Sequence, residues 1–285
     1  MATPTRAHIF RSEIGSGSRW EVAVRAPAEP LRPYLPHYTG YREEAPGPVT
    51  RREVSGSRIV FILDLGSPIL VTEPVGCGTR HVNGFVAGLR DSYVLTTHDG
   101  AQEGVQLDLS PVGARLLFGT PLAELTNQVI GVSDLGLPER NLVARLRSLT
   151  SWDARFDLLD RVLCACLGAP TQAGRAAAWA IDCIERARGA IDIRSLASDL
   201  GYSEKQVTRI FREHVGVGPK RFARIVRFDH LMRAARSQPD VRWAELALDF
   251  GFYDQAHLTR EVKDLSGLTP TELRADASEL DGLFR

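Results

Sequence analysis

The sequence predicts an α+β protein of more than one domain, in which a β-rich, barrel-like region with a helical extension precedes an all-α domain with two helix-turn-helix units. Three observations lead to this prediction. Short runs of alternating apolar and polar residues, separated by Gly and Pro, fill about the first hundred residues. Helical periodicity begins near Pro121. The C-terminal part also repeats itself at a spacing of about 50 residues.

Composition places the chain among ordinary globular proteins. It has 285 residues, of which 44% are hydrophobic and 25% charged, which excludes a wholly disordered chain and suggests about two domains. The N-terminal residues lack the apolar core of a secretory signal, and no apolar run approaches the roughly 18 residues that span a bilayer. The four cysteines are too few and too scattered for a disulfide framework. We therefore expect a cytoplasmic protein with reduced thiols and no cofactor.

Three runs with strand character predict the β-rich region. They are Trp20–Arg25, Arg58–Leu65 and Gly104–Leu109, and Gly- and Pro-containing clusters separate them. Strands of this length and spacing are typical of a small sandwich or barrel.

Two apolar stripes predict the helices that follow. The first stripe is formed by Leu142, Val143, Leu146 and Leu149, and the second by Phe156, Leu159, Leu163 and Leu167. We expect the second stripe either to pack on the β-rich region or to pair two subunits, and we favour a homodimer because paired subunits raise affinity for paired binding sites.

The segment Gly168–Gly174 contains small and turn-forming residues and interrupts the helical pattern. We interpret it as a boundary and divide the chain into a β-rich domain of residues 1–168, a linker of residues 169–174 and an all-α domain of residues 175–285. Cleavage in this segment should then release a C-terminal fragment, residues 173–285, that folds and functions alone.

The zero net charge of the chain conceals a local concentration of basic residues. Between Lys205 and Arg236, nine Lys and Arg residues stand against two acids, Glu213 and Asp229, a local charge of +7. Such a window in a neutral chain is typical of a face that meets a polyanion. A solvated helix surface would have the same composition, so the charge count leaves both interpretations open.

The strongest pattern is a repeat of two units in the all-α domain. Leu196-Ala197 recurs as Leu246-Ala247 and Gly201-Tyr202 as Gly251-Phe252, both at an offset of 50, which becomes 51 beyond the turn. The later matches are Arg209 with Arg260, Gly216 with Gly267 and Pro219 with Pro270. Each unit has a short helix, a glycine turn and a second helix with an apolar inner face, which is the layout of a helix-turn-helix.

The second helix of each unit carries side chains suited to DNA. In unit one, Ser203 and Gln206 have the spacing of a capping box. Arg, Lys, Gln and Thr at the start of such a helix hydrogen-bond base edges or phosphates. We predict base contacts from Lys205, Gln206, Thr208, Arg209, Gln255, His257 and Arg260. We predict phosphate contacts from Ser203, Arg212, Lys220, Arg221, Arg224 and Arg227.

A helix from Pro219 to about Ser237 would connect the units. Its length of roughly 27 Å suits two helices in major grooves about 34 Å apart. Three alternatives stay open at this point. The domain could be a helical bundle whose arginines are only solvated, Arg209 and Arg260 could form salt bridges with acids on their own helices, and His257 could cap its helix instead of reading DNA.

The repeat resembles the signature of the AraC/XylS family over about the last hundred residues. The resemblance is clearest from Leu246 to Val262 and in Gly267-Leu-Thr-Pro270. It implies a bacterial, sequence-specific transcription regulator, with activation as the expected role and repression left open, and with double-stranded DNA and RNA polymerase as partners. By position, the recognition helices would be Ser203–His214 and Asp254–Asp264.

Two positions depart from the family pattern. Val262 stands where the family usually has a larger aromatic residue, and Ala256 stands where some members have a polar side chain. The first departure loosens the core of unit two without removing a DNA contact. The second leaves base readout by unit two to Gln255, His257 and Arg260.

The N-terminal half resembles, more weakly, the cupin-like sensor domains found upstream in this family, through Leu31–Tyr41 and Asp108–Gly119. This resemblance implies effector sensing and pairing of subunits. We predict a small organic effector of unknown identity in a pocket near Trp20, Tyr38 and His98.

Two other readings of the N-terminal half stay open. A metal-dependent cupin-type enzyme could be fused to the DNA-binding module, with His37, His81 and His98 as metal ligands. No compact His-x-His pair supports that reading, so we predict no metal site and no catalytic residue. Alternatively, the domain could sense a protein partner.

Overall fold

A computed structural model of the chain describes residues 6–14, 17–54, 56–73, 79–82, 84–135, 141–238 and 240–276. The strands within these ranges are β1 His8–Ile14, β2 Ser18–Arg25, β3 Tyr38–Glu44, β4 Val49–Glu53, β5 Ile59–Asp64, β6 Ile69–Thr72, β7 Thr79–Val82, β8 Phe85–Ala87, β9 Val94–His98, β10 Ala101–Leu109 and β11 Val129–Gly131. The helices are α1 Pro111–Phe118, α2 Leu142–Ser148, α3 Trp152–Cys166, α4 Gln172–Arg186, α5 Ile193–Asp199, α6 Glu204–His214, α7 Pro219–Ser237, α8 Trp243–Asp249, α9 Gln255–Ser266 and α10 Pro270–Asp276. A β-rich half followed by a helical half confirms the predicted fold class.

The strands form two antiparallel sheets that face each other. One has the order β1-β2-β3-β10-β5-β8-β11 and the other β4-β9-β6-β7. Side chains cross between them, since Glu43 of β3 forms a salt bridge with Arg51 of β4 and its carboxylate lies 3.0 Å from Nε2 of His98 on β9. The space between the sheets is therefore the interior of the barrel-like domain.

Helix α3 covers the outer face of the larger sheet. Its residues Phe156, Leu159 and Leu163 are completely buried, and the ring of Tyr38 on β3 stacks on Phe156 at 5.3 Å. The sheet approaches the helix so closely that a Cβ at Gly40 would lie 2.5 Å from the Trp152 ring. The apolar stripe of α3 therefore packs on the β domain, which is the first of the two predicted alternatives, and the homodimer stays a prediction.

The transition from strands to helices is less abrupt than the sequence predicts. Helix α1 begins at Pro111, before the predicted start of helical structure at Pro121, because Ser110 caps it by accepting a hydrogen bond from the Gly113 amide. Strand β11 then returns to the large sheet and pairs with β8. The short length of β11 explains why no alternation predicted it.

The predicted linker is partly helical. Thr171 accepts a hydrogen bond from the Gly174 amide at 3.0 Å and thereby caps α4, so the last three residues of Gly168–Gly174 form the first turn of that helix. Only residues 167–171 separate α3 from α4. One apolar core continues from the sheet through α4 to α6 and α7. The domain division at this segment stays a prediction.

The helical half contains the two predicted units. Helices α5 and α6 form unit one, α8 and α9 form unit two, and α7 connects them with the predicted bounds. Gly201 and Gly251 occupy the turns with φ of +68° and +69°, a conformation that L side chains rarely adopt. Val262 is completely buried, so this smaller residue still contributes to the core of unit two. None of the described helices is long and apolar enough to cross a membrane.

Candidate DNA-binding surface

Both recognition helices begin with a side-chain cap. At α6, Ser203 Oγ accepts a hydrogen bond from the Gln206 amide and Gln206 Oε1 accepts one from the Ser203 amide at 2.8 Å, which confirms the predicted capping box. At α9, Asp254 Oδ1 accepts from the His257 amide at 2.6 Å. The caps fix where each helix starts, and so fix which side chains face outward.

Two arginines occupy matched outward positions on these helices. Arg209 of α6 and Arg260 of α9 are exposed, and no acid within the described residues pairs with either guanidinium. The acids that could have paired with them have other partners: Glu213 lies 3.6 Å from Arg115, and Asp264 lies 2.9 Å from Arg224. The structure therefore favours outward-facing guanidinium groups over salt bridges within each helix.

The other predicted base contacts fall into two groups. Lys205 and Gln255 are exposed, and no contact within the described part of the chain engages either side chain. Gln206 uses its Oε1 in the capping box, and Thr208 donates its hydroxyl to the Glu204 carbonyl at 2.8 Å. These last two side chains are thus engaged in hydrogen bonds within α6 itself.

His257 also has a local role. Its Nδ1 accepts a hydrogen bond from the Tyr253 amide at 3.4 Å, and its ring meets Phe252 edge-on at 5.4 Å. Glu261 lies one turn further along the same face, with its carboxylate 3.9 Å from Nε2. The ring therefore contributes to the start of α9, as in the alternative that the sequence left open.

Three of the predicted phosphate contacts have acidic partners. Arg221 pairs with Asp91 at 2.5 Å, Arg224 pairs with Asp264, and Arg227 pairs with Glu261 at 3.2 Å. Arg227 also lies over the Phe252 ring. These three side chains are paired in the structure because α9 and the β domain bring acids to α7 that lie far away in sequence, and their phosphate contacts stay predictions.

The remaining predicted phosphate contacts are accessible. Lys220, at the start of α7, and Arg212, on α6, are exposed, and neither has a partner among the described residues. Ser203 is exposed as well, although its hydroxyl takes part in the cap of α6. Lys220 is thus the one predicted phosphate contact on α7 that is unpaired within the described chain.

Sequence reasoning missed Tyr253, whose side chain is 90% exposed at the start of α9. Tyr253 is the extra residue that changes the repeat offset from 50 to 51, so unit one has no counterpart for it. A change of offset within a repeat is the signal that could have identified it. The side chain lies next to Asp254, the cap of the second recognition helix.

The β domain contacts the helical half around the end of α9 and along α7. Arg52 of β4 donates to the Ser266 carbonyl at 3.2 Å and lies 4.1 Å over the Tyr93 ring. Gly267 has φ of +75°, and a Cβ there would collide with that same ring. The salt bridge between Arg221 and Asp91 belongs to this interface, so one basic residue of α7 faces the β domain.

The three residues of the predicted effector pocket do not lie together in one site. Trp20 and His98 lie on either side of Arg51, whose guanidinium is 5.1 Å from the Trp20 ring and 2.9 Å from His98 Nε2. Tyr38 points the other way and donates to Asp160 on α3 at 2.9 Å. The reason is the alternation of side chains along a strand. Tyr38 pairs with Arg25 of β2, which lies five positions after Trp20 on the same strand. Residues an odd number of positions apart point to opposite faces of the sheet, so Tyr38 and Trp20 do too.

His98 is engaged in the barrel interior. Its Nδ1 accepts from the Gly100 amide at 3.2 Å and its Nε2 lies 3.0 Å from the Glu43 carboxylate. The reading of His98 as a metal ligand is therefore not supported. His37 lies half-buried before β3, and the side chain of His81 lies outside the described residues. In the described ranges, no three His, Cys, Asp or Glu side chains could together hold a metal ion.

A second buried acid faces the same interior. Asp64, at the end of β5, is completely buried and accepts one hydrogen bond, from the Gly66 amide at 3.0 Å. Burial raises the pKa of its carboxyl to about 6. An open cleft of about 390 Å³ lies beside it, lined by Arg42, Glu43, Glu44, Gly66, Ser67, Ala101, Gln102 and Glu103.

Comparisons with known proteins agree with the helical half. Residues 196–276 match the model of a helix-turn-helix domain family. The probable transcription factor PqrA of Proteus vulgaris is 31% identical over 105 residues, which are 36% of this chain and 83% of PqrA. The solved structure of ToxT from Vibrio cholerae aligns with 81% of this chain and 99% of the ToxT chain, at 10% identity and with a TM-score of 0.47. The solved structure of the AraC-like transcriptional activator CuxR aligns with 79% of this chain and 86% of the CuxR chain, at 13% identity and with a TM-score of 0.31.

Proposed function

Because the chain belongs to the AraC/XylS family of transcription regulators, we propose that it acts on promoters by placing α6 and α9 in successive major grooves of its operator. The main support for this proposal is that Arg209 and Arg260 occupy equivalent positions on the two recognition helices. Both guanidinium groups are exposed on the outer face of a capped recognition helix and have no acidic partner in the described chain. An unpaired guanidinium in this place can donate two hydrogen bonds to O6 and N7 of a guanine.

Lys205 and Gln255 complete the proposed reading surface. Each lies near the start of its helix, where side chains reach base edges in a helix-turn-helix. Lys220 and Arg212 are the proposed phosphate contacts, because both are exposed and unpaired within the described residues. Gln206 and His257 contribute to the starts of these helices, and Thr208 hydrogen-bonds within α6.

The β domain is proposed to sense a small-molecule effector of unknown identity. The support is a polar interior, in which Glu43 pairs with Arg51 and His98, next to the open cleft at Gly66 and Gln102. Contact between Arg221 and Asp91 gives such a domain a direct connection to α7. RNA polymerase is the proposed protein partner, since an activator recruits it to the promoter.

Selection of bound sites from random double-stranded DNA tests the proposal. The wild-type chain should enrich a motif with two conserved segments about one helical turn apart. Arg209→Ala and Arg260→Ala should each relax base preference in a different segment, at a cost of about 1–3 kcal/mol. Arg186→Ala, on the exposed face of α4, is the matched control and should leave the motif unchanged. Uniform loss of affinity with an unchanged motif would show that Arg209 and Arg260 do not read bases.

A further inference from the structure

Strand β1 forms an edge of the larger sheet. Within the described chain its one strand partner is β2, so its other side presents backbone N–H and C=O groups without a strand neighbour. The side chains of residues 8–13 are exposed on both faces, with Ile9 48% and Phe10 59% exposed. An exposed edge of this kind is a template for pairing with another strand.

The usual features that protect an edge strand are few in β1. It has seven residues and contains neither Pro nor Gly, and its register with β2 runs from His8↔Val24 to Ile14↔Ser18 without a bulge. Proteins commonly interrupt or shorten such edges to prevent pairing. A regular edge with two large exposed apolar side chains is therefore suited to a specific strand partner.

We propose that β1 pairs antiparallel with β1 of a second copy of the chain, which joins the two large sheets around a twofold axis at Ser12. The inference rests on the proposed function in one respect, because the second copy would bring a second pair of recognition helices to the operator. The chemistry of the pairing depends only on β1.

Symmetry limits the possible registers. In an antiparallel pair, residues directly opposite each other point to the same face of the sheet. A twofold axis perpendicular to the sheet keeps each side chain on its face, so opposite residues are an even number of positions apart in sequence. The axis therefore passes beside one residue, which lies opposite its own copy. An axis at Arg11 would place two arginines directly opposite each other, which is unfavourable. An axis at Ser12 instead places Arg11 of each copy opposite Glu13 of the other, which gives two such pairs. In this register Phe10 lies opposite position 14.

Both charges are available for this pairing. The Arg11 side chain is 74% exposed and contacts Glu21 of β2 through Nε and Nη2, which leaves Nη1 for a second carboxylate. Glu13 is exposed and has no partner among the described residues. Of these two registers, charge complementarity favours the one centred on Ser12.

The pairing is small, with about five residues from each strand, well below the roughly 800 Å² per partner of a standard interface. We therefore expect a weak dimer in solution, which DNA with two operator copies would strengthen by raising the effective concentration.

Disulfide cross-linking of the full-length chain tests the register. Ser12→Cys places two thiols directly opposite each other, at a separation that a disulfide can span. His8→Cys is the matched control on the same exposed strand, because its two copies would lie roughly 27 Å apart at about 3.4 Å per residue. Under mild oxidation, Ser12→Cys should form covalent dimer at least about tenfold faster than His8→Cys or the wild type. Glu13→Lys, added to Ser12→Cys, should reduce this rate severalfold, since a lysine would then face Arg11.

Equal cross-linking of the two cysteine variants, or none by either, would overturn the proposal. Binding of the reduced variants to a single operator is measured in parallel and should equal that of the wild type. Loss of DNA binding with cross-linking intact would contradict the proposed function alone. Normal DNA binding without specific cross-linking would contradict the β1 pairing alone.

Discussion

The guanidinium of Arg221 on α7 lies 2.5 Å from the carboxylate of Asp91, which belongs to the β domain. The sequence predicts a phosphate contact for Arg221, so in the proposed complex Asp91 would compete with DNA phosphate for this guanidinium. The two charges are both partly exposed, and such pairs contribute about 0–1 kcal/mol. A bond this weak can exchange for a phosphate contact when DNA binds.

Replacing Asp91 with Asn should therefore strengthen DNA binding. The free guanidinium of Arg221 would gain a phosphate contact without first losing a carboxylate, which we expect to raise affinity about two- to fivefold and to steepen the dependence of log K on log salt by about one. Fluorescence anisotropy with an operator duplex over a salt series measures both. Glu124→Gln, at an exposed acid of the same domain, is the control. Unchanged affinity in Asp91→Asn would show that Arg221 does not reach DNA.

Local signals explain why much of the helical half could be predicted from the sequence. The glycine turns, the Ser203 cap and the proline that begins α7 are each determined by neighbours within a few residues, and α7 has the predicted bounds. The partners of Arg221 and Arg224 could not be predicted, because both acids lie on other elements that only folding brings near. The face on which Tyr38 lies, opposite to Trp20, likewise depends on the register of β2 and β3.

The surroundings of Lys220 and Arg224 predict different roles for two neighbouring bases on α7. Lys220 is exposed and unpaired among the described residues, whereas Arg224 contacts Asp264 and Glu261 of α9. Lys220→Ala should weaken binding to all DNA sequences alike and reduce the salt slope by about one. Arg224→Ala should leave the salt slope unchanged and lower the free energy of unfolding by no more than about 1 kcal/mol. Salt titrations and urea unfolding of both variants distinguish these roles, and a reduced slope in Arg224→Ala would contradict the assignment.

Tyr253 should contribute to DNA binding although unit one has no counterpart for it. A tyrosine that is 90% exposed beside the cap of α9 has no packing role, and its ring and hydroxyl face solvent at the start of the proposed recognition helix. We expect Tyr253→Ala to weaken operator binding by about 1 kcal/mol, or roughly fivefold, without changing the free energy of unfolding. Tyr253→Phe separates the hydroxyl from the ring, since it should weaken binding to the same extent if a phosphate hydrogen bond is responsible. Wild-type affinity in Tyr253→Ala would place the side chain outside the DNA interface.

Asp64 should make the stability of the protein depend on pH. Its carboxyl is buried at the end of β5, and burial raises its pKa from 3.8 to about 6. The folded state therefore binds this proton more tightly than the unfolded state, and the free energy of unfolding should fall as pH rises from about 4 to 6 and stay lower above that. The difference of about two pKa units corresponds to about 2–3 kcal/mol.

Asp64→Asn retains an oxygen for the Gly66 amide but carries no charge. This variant should be more stable than the wild type at pH 7.5 by about that amount and similar to it at pH 4, as measured by urea unfolding. Asp199→Asn, at an exposed acid on α5 that has no part in the surroundings of Asp64, is the control and should leave the profile unchanged. An equal effect of Asp64→Asn at both pH values would contradict a raised pKa and point instead to altered packing between the sheets.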